Sequence, residues 1–175
     1  MRKVGILSST IFISIILAGL YGIIHDQITF TISQEYFIKF KYVQFGFDPA
    51  RFGGDRQTVA VIGFLATWWT GIIIGLGLGL TGLIFEDHKK MSKSIRKAIK
   101  LLFCIAISFG FIGFLYGKFH LINTGVDWWL PNNLIDRNNF IIVGSIHNFS
   151  YLGGLFGLIA GMIYLIWLKI KMKAE

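Results

Sequence analysis

Four long apolar stretches punctuate this chain of 175 residues, at about 4–24, 59–85, 101–119 and 140–167. Each reaches the ~20 apolar residues that carry a helix across a ~30 Å hydrocarbon core. The pattern therefore predicts four transmembrane helices. The second and fourth are longer than a crossing requires, so they tilt or project. Three polar connections remain: outer loops at 25–58 and 120–139 and a cytoplasmic loop at 86–100. The first apolar stretch stops at His25-Asp26-Gln27, and the period then changes. Ile28, Phe30 and Ile32 alternate with Thr29, Thr31 and Ser33, which is the period of a strand. A second alternating stretch, 38–42, follows Ser33-Gln34-Glu35-Tyr36, and the two predict a β-hairpin. Asp48-Pro49 and Gly53-Gly54-Asp55 mark turns before the second span. Trp128-Trp129, followed by Pro131, reads as a segment lying against the headgroups. The expected fold is an all-α membrane protein: one membrane domain over 1–175, a four transmembrane helix bundle with a small β-hairpin in the first outer loop. No internal repeat or domain boundary is visible.

Composition supports this reading. The chain is 54% hydrophobic and 15% charged, against about a quarter charged in soluble domains. Charge then sets the orientation. Eleven of the 17 basic residues (Arg2, Lys3, Lys89, Lys90, Lys93, Arg96, Lys97, Lys100, Lys169, Lys171 and Lys173) fall on one side with Glu86, Asp87 and Glu175. The other side balances six basic against six acidic residues and nets zero. The positive-inside bias puts both termini and the 86–100 loop in the cytoplasm. The basic loop is a topology signal that also attracts anionic headgroups. No nucleic-acid motif accompanies it, and no nucleic-acid partner is expected. Met1-Arg2-Lys3 before an apolar run resembles a signal peptide, but the run is too long and three more spans follow, so it reads as an uncleaved helix. Cys104 stands alone; it has no disulfide partner within the chain and is expected to pack as a small apolar residue.

Glycine is abundant inside the spans: Gly71, Gly75, Gly77, Gly79 and Gly82, then Gly110, Gly113 and Gly117, then Gly153, Gly154, Gly157 and Gly161. Spacings of four, as in Gly71–Gly75–Gly79 and Gly157–Gly161, let helices approach closely in lipid. Such faces close the bundle itself, or dock another membrane subunit.

Counting back from the cytoplasmic ends places most of the polar residues at one level. His25, Asp26, Trp68, Trp69, His120, His147, Asn148, Ser150 and Tyr151 fall near the outer membrane face, and a folded-down ribbon brings Glu35 over them. His88 is the exception, in the cytoplasmic loop. Polar residues at such depth normally face the bundle interior and have partners. Three readings follow. The leading one is a non-catalytic integral inner-membrane protein, structural or accessory, whose polar His-containing site ties the helix ends together while the tryptophans anchor in the headgroups. The alternative is a metal- or haem-binding protein for redox chemistry or metal handling, with His25, His147 and His120 as ligands and Asp26 or Glu35 completing the site. The third is a membrane-embedded hydrolase using Ser150, His147 and a carboxylate. Transport is least supported, since no span carries a charge near mid-membrane or a broken-helix pattern.

The set His25-Asp26-Gln27, Glu35-Tyr36-Phe37, Ala66-Thr67-Trp68-Trp69 and His147-Asn148-Phe149-Ser150-Tyr151 resembles a family of uncharacterised bacterial membrane proteins with four predicted spans. That resemblance implies a bacterial inner-membrane setting and no particular activity. The order of loops and helices also resembles claudin-type proteins, whose first outer loop is a small β-sheet. Their paired loop cysteines are missing here, so this second likeness is architectural.

Overall fold

The computed structural model describes residues 2–174. Met1, which opens the leader-like stretch, and Glu175, counted among the charges, lie outside them. The four apolar stretches form four helices long and apolar enough to cross a membrane: α1 (Arg2–Ile32), α2 (Asp55–Gly82), α3 (His88–Tyr116) and α4 (Arg137–Ala174). The chain is thus a multi-pass membrane protein by length and composition.

The helices associate as two antiparallel pairs. Along α2, Gly63, Thr67, Gly71, Gly75 and Gly79 recur every fourth residue and face α1. A Cβ on Gly63 would strike the backbone of Gly22, and one on Gly71 the backbone of Ser14 and Ile15. With no side chain between them, the two backbones approach closely enough for Thr67 Oγ1 to donate across the seam to the Ala18 carbonyl at 2.8 Å. The pair α3–α4 uses Gly113, Gly117, Gly153 and Gly157 in the same way; Gly157 sits against the Leu102 carbonyl. Ser145 Oγ donates across that seam to the Gly113 carbonyl at 2.8 Å. The glycine faces named from sequence therefore serve contacts within the chain.

Two hydrophobic clusters join the pairs. At the end that carries the C-terminus of α1, Phe30, Phe37, Val59, Ile62, Phe140 and Val143 pack together. At the other end Leu78, Phe85, Met91, Ile95, Leu102 and Leu165 do so. Between these plugs the pairs part.

The expected β-hairpin is absent: no strand occurs among the described residues, and α1 runs on to Ile32. Short helical turns follow at Gln34–Tyr36, Phe37–Lys41 and Tyr42–Phe45. The alternation of 28–32 is incidental to a helical period. The buried positions are Asp26, Thr29, Phe30, Ser33, Tyr36 and Phe37, three or four apart, whereas Ile28 is exposed. The threonines do not break the helix, because their hydroxyls bond back to it, Thr29 to His25 O at 3.1 Å and Thr31 to Gln27 O at 3.0 Å. The loop between α2 and α3 is also shorter than the expected 86–100. Asp87 caps α3 by accepting from Lys90 N at 2.8 Å, and Met91, Ile95, Ala98 and Leu102 form a buried face at helical spacing. The cations occupy the rest of its surface. Cys104 is exposed on α3 and does not pack in the core.

Gln27 and Glu35 fix the segments that follow α1 and precede α4. Arg56 donates to the Gln27 carbonyl at 2.9 Å and to Thr31 Oγ1 at 3.0 Å, joining the end of α1 to the start of α2. Glu35 stays outside the helix ends. It accepts from the backbone N–H of Ile135 at 3.0 Å and of Asp136 at 2.6 Å, and pairs with Lys39 at 2.6 Å. These donors, chiefly the Ile135 N–H, hold its carboxyl at about 2, below the ordinary 4.5. A lowered folded-state value means the clamp is intact above about 4.5 and is lost as pH falls toward about 2. Wild-type thermal stability in detergent should therefore drop more between those pH values than that of Glu35→Gln. Parallel pH profiles would show that the clamp adds nothing.

Candidate metal centre

The parting of the two pairs leaves a slot of about 330 Å³ lined by all four helices. On α1 its wall runs from Ser14 to Asp26 and on α4 from His147 to Leu158. Most of the lining is aliphatic or aromatic. The side chains of His25, Asp26, Lys41 and His147 cluster with Tyr21, Ser150 and Tyr151 at the end nearer the C-terminus of α1.

Helix geometry assembles that end. His25 and Asp26 sit in α1 one turn before its buried face joins the cluster around Phe30. His147 and Ser150 are three apart on α4, on one face. Asp26 Oδ1 is the hub: His25 Nδ1 lies 3.1 Å and His147 Nε2 3.2 Å from it. The two imidazole rings meet edge to face with centroids 4.6 Å apart. Ligand atoms of His25, Asp26 and His147 all fall within 4.8 Å of one another. The second nitrogen of each ring is also engaged. His147 Nδ1 is 2.9 Å from the Val143 carbonyl, and His25 Nε2 is 3.1 Å from Ser150 Oγ. Tyr36 stacks on His147 at 4.8 Å and 28°. Asp26 Oδ2 and Ser14 Oγ are buried without a hydrogen-bond partner among the described residues. Both residues line the slot.

The tautomer of His147 follows from these contacts. A carbonyl only accepts, so Nδ1 carries a proton. In the neutral ring Nε2 then presents a lone pair to the Asp26 carboxylate. Two acceptors at 3.2 Å repel each other unless a cation lies between them, either a second proton on the ring or a metal ion. A backbone carbonyl fixing the far nitrogen of an imidazole is also the usual way a ligating histidine is oriented.

Lys41, 6% exposed, reaches the same end of the slot from the turn after α1. Its ammonium lies over the rings of Phe40 and Phe45. Burial pushes its pKa below the ordinary lysine value, and the Asp26 charge opposes the shift.

Sequence-chosen residues thus divide. His25, Asp26, His147 and Ser150 converge, and Trp69 and Tyr151 line the slot. Asn148 faces a second, aromatic-lined cavity of about 290 Å³ beside Trp128 and Trp129. Trp68 is exposed and lines neither cavity. His120 stacks on Tyr116 at 4.9 Å and lies outside the cluster, while Glu35 is the loop clamp described above. Tyr21, Tyr36, Lys41 and Ser14 were missed. Ser14, Tyr21 and His25 lie on one helical face, and that period was the available signal.

No family model, curated protein or solved structure matches this chain.

Proposed function

We propose that this protein is a membrane metalloprotein in which His25, Asp26 and His147 hold one divalent transition metal, of the zinc class, at the head of the slot. The observation that carries the reading is the pair of imidazole nitrogens, 3.1 and 3.2 Å from one buried carboxylate oxygen, with His147 oriented by a backbone carbonyl. Two nitrogens and one oxygen suit zinc, and three protein ligands leave a position for water or substrate, as in catalytic zinc sites. The metal would act as a Lewis acid or lower the pKa of a bound water. This favours the metal alternative over a purely structural network. The setting is a bacterial inner membrane with both termini in the cytoplasm, supported by the one-sided +8 charge.

One observation favours a second reading. Ser150 Oγ, His25 and Asp26 are linked by contacts of 3.1 Å each, the order of a serine–histidine–aspartate relay. Ser150 lies inside a helix, however, where backbone N–H groups are already bonded and offer no oxyanion hole. Elemental analysis after purification without chelator separates the two. The metal reading expects about one zinc-class ion per chain, retained by Ser150→Ala and lost by His147→Ala. Protein with no metal, labelled covalently at Ser150 by a fluorophosphonate, would overturn it in favour of the relay.

A further inference from the structure

The shape of the slot identifies an occupant. Along α1 it extends from Asp26 to Ser14, which at 1.5 Å per residue is ~18 Å. One leaflet of a ~30 Å hydrocarbon core is ~15 Å deep. The slot therefore runs from the headgroup level to about the bilayer midplane, along the direction of an acyl chain. Its volume, about 330 Å³, lies at the small end of the ~300–1,000 Å³ of ligand sites and suits a single chain. The mouth is lateral. The exposed lining residues, Trp69 and Ile73 on α2 and Tyr151 and Leu155 on α4, border a gap between those helices that faces lipid. At the head, the buried Lys41 amine lines the same end of the slot as Asp26 and offers N–H donors suited to an oxyanion.

We infer that the slot takes one acyl chain of a lipid with an anionic head, a carboxylate or phosphate, entering sideways between α2 and α4 from the leaflet on the His25 side, with the head against Lys41. The inference shares the slot with the proposed metal but does not rest on it. The slot, mouth and lysine stand without the metal.

Gly154 supplies the blocking variant. It lines the slot, and a Cβ added there meets nothing within 4 Å, so Gly154→Phe fills the slot without disturbing a helix seam. The probes are spin-labelled stearic acid, phosphatidylglycerol and phosphatidylcholine in nanodiscs, read by electron paramagnetic resonance. Wild type is expected to immobilise an anionic probe. Gly154→Phe should weaken that binding about tenfold or more, since keeping even a couple of methylenes out of an apolar site has that effect. Lys41→Met should erase the preference over phosphatidylcholine. Immobilisation of stearic acid alone would identify a free fatty acid, and of phosphatidylglycerol alone a phospholipid; either satisfies the inference. An immobilised signal unchanged in Gly154→Phe would mean lipid held on the outside of the bundle and would overturn it, as would no immobilised signal in zinc-retaining wild type. His147→Ala distinguishes the two readings: it should lose zinc and keep the lipid signal.

Discussion

Asp26→Asn is expected to abolish zinc binding and destabilise the fold together. The change keeps the shape of the side chain and removes its charge. Asn has one oxygen, and its amide nitrogen would turn two N–H donors toward imidazole lone pairs or toward the slot. Loss of a partner outside the ligand shell costs metal sites ~10–100-fold, so loss of the anionic ligand on which both histidines converge should exceed ~100-fold. Ser150→Ala, which removes only the hydroxyl beside His25, should stay within the smaller range. The stability loss follows from burial. Asp26 is 4% exposed and His147 5%, and leaving one member of a buried charged pair without the other costs ~3–5 kcal/mol. Isothermal titration with zinc and thermal unfolding in detergent read the two effects. An Asp26→Asn protein that binds zinc like wild type would mean that the carboxylate is not a ligand.

Gly22→Leu is expected to be the most damaging packing change. A Cβ at Gly22 meets the Gly63 carbonyl and Thr67 Oγ1, so neither rotamer choice nor small repacking accommodates it. Overpacking of a well-filled core costs ~1–3 kcal/mol when side chains can yield. Here the obstacle is backbone, and the effect belongs at or above the top of that range. The α1–α2 seam would open, the Thr67–Ala18 hydrogen bond would break, and the slot wall carrying Ser14 and Ala18 would move. Gly5→Leu is the control, because a Cβ there meets nothing within 4 Å. Equal melting shifts for the two variants in detergent would refute the seam.

The helices were legible because lipid simplifies the code: long apolar runs have few alternatives. The loop after α1 misled because Ile28, Phe30 and Ile32 satisfy a period of two, while the buried residues are Thr29, Phe30 and Ser33, which share one helical face. Hydrophobicity alone does not reveal that an inward face can be polar. Convergence of His25 and His147 was legible from depth, since helix ends at one level are neighbours in a small bundle. Glu35 was misassigned because depth says nothing of direction, and its carboxylate turned to the N–H groups of Ile135 and Asp136. Lys41 was hidden for the opposite reason: a lysine outside a span reads as solvated, and only the turn at Phe37–Lys41 brings it inside. The slot itself has no sequence signature. It arises because the two seams pair the helices tightly and only the two end plugs join the pairs.

X-ray absorption at the zinc edge of the loaded protein separates a histidine-ligated ion from an adventitious one. A four-coordinate ion is expected, with two imidazole nitrogens at ~2.0–2.1 Å, oxygen at ~2.0–2.2 Å and the outer-ring scattering of two imidazoles, whereas His147→Ala should retain no zinc. A spectrum of oxygen ligands alone would contradict it, as would His147→Ala protein that keeps the wild-type spectrum.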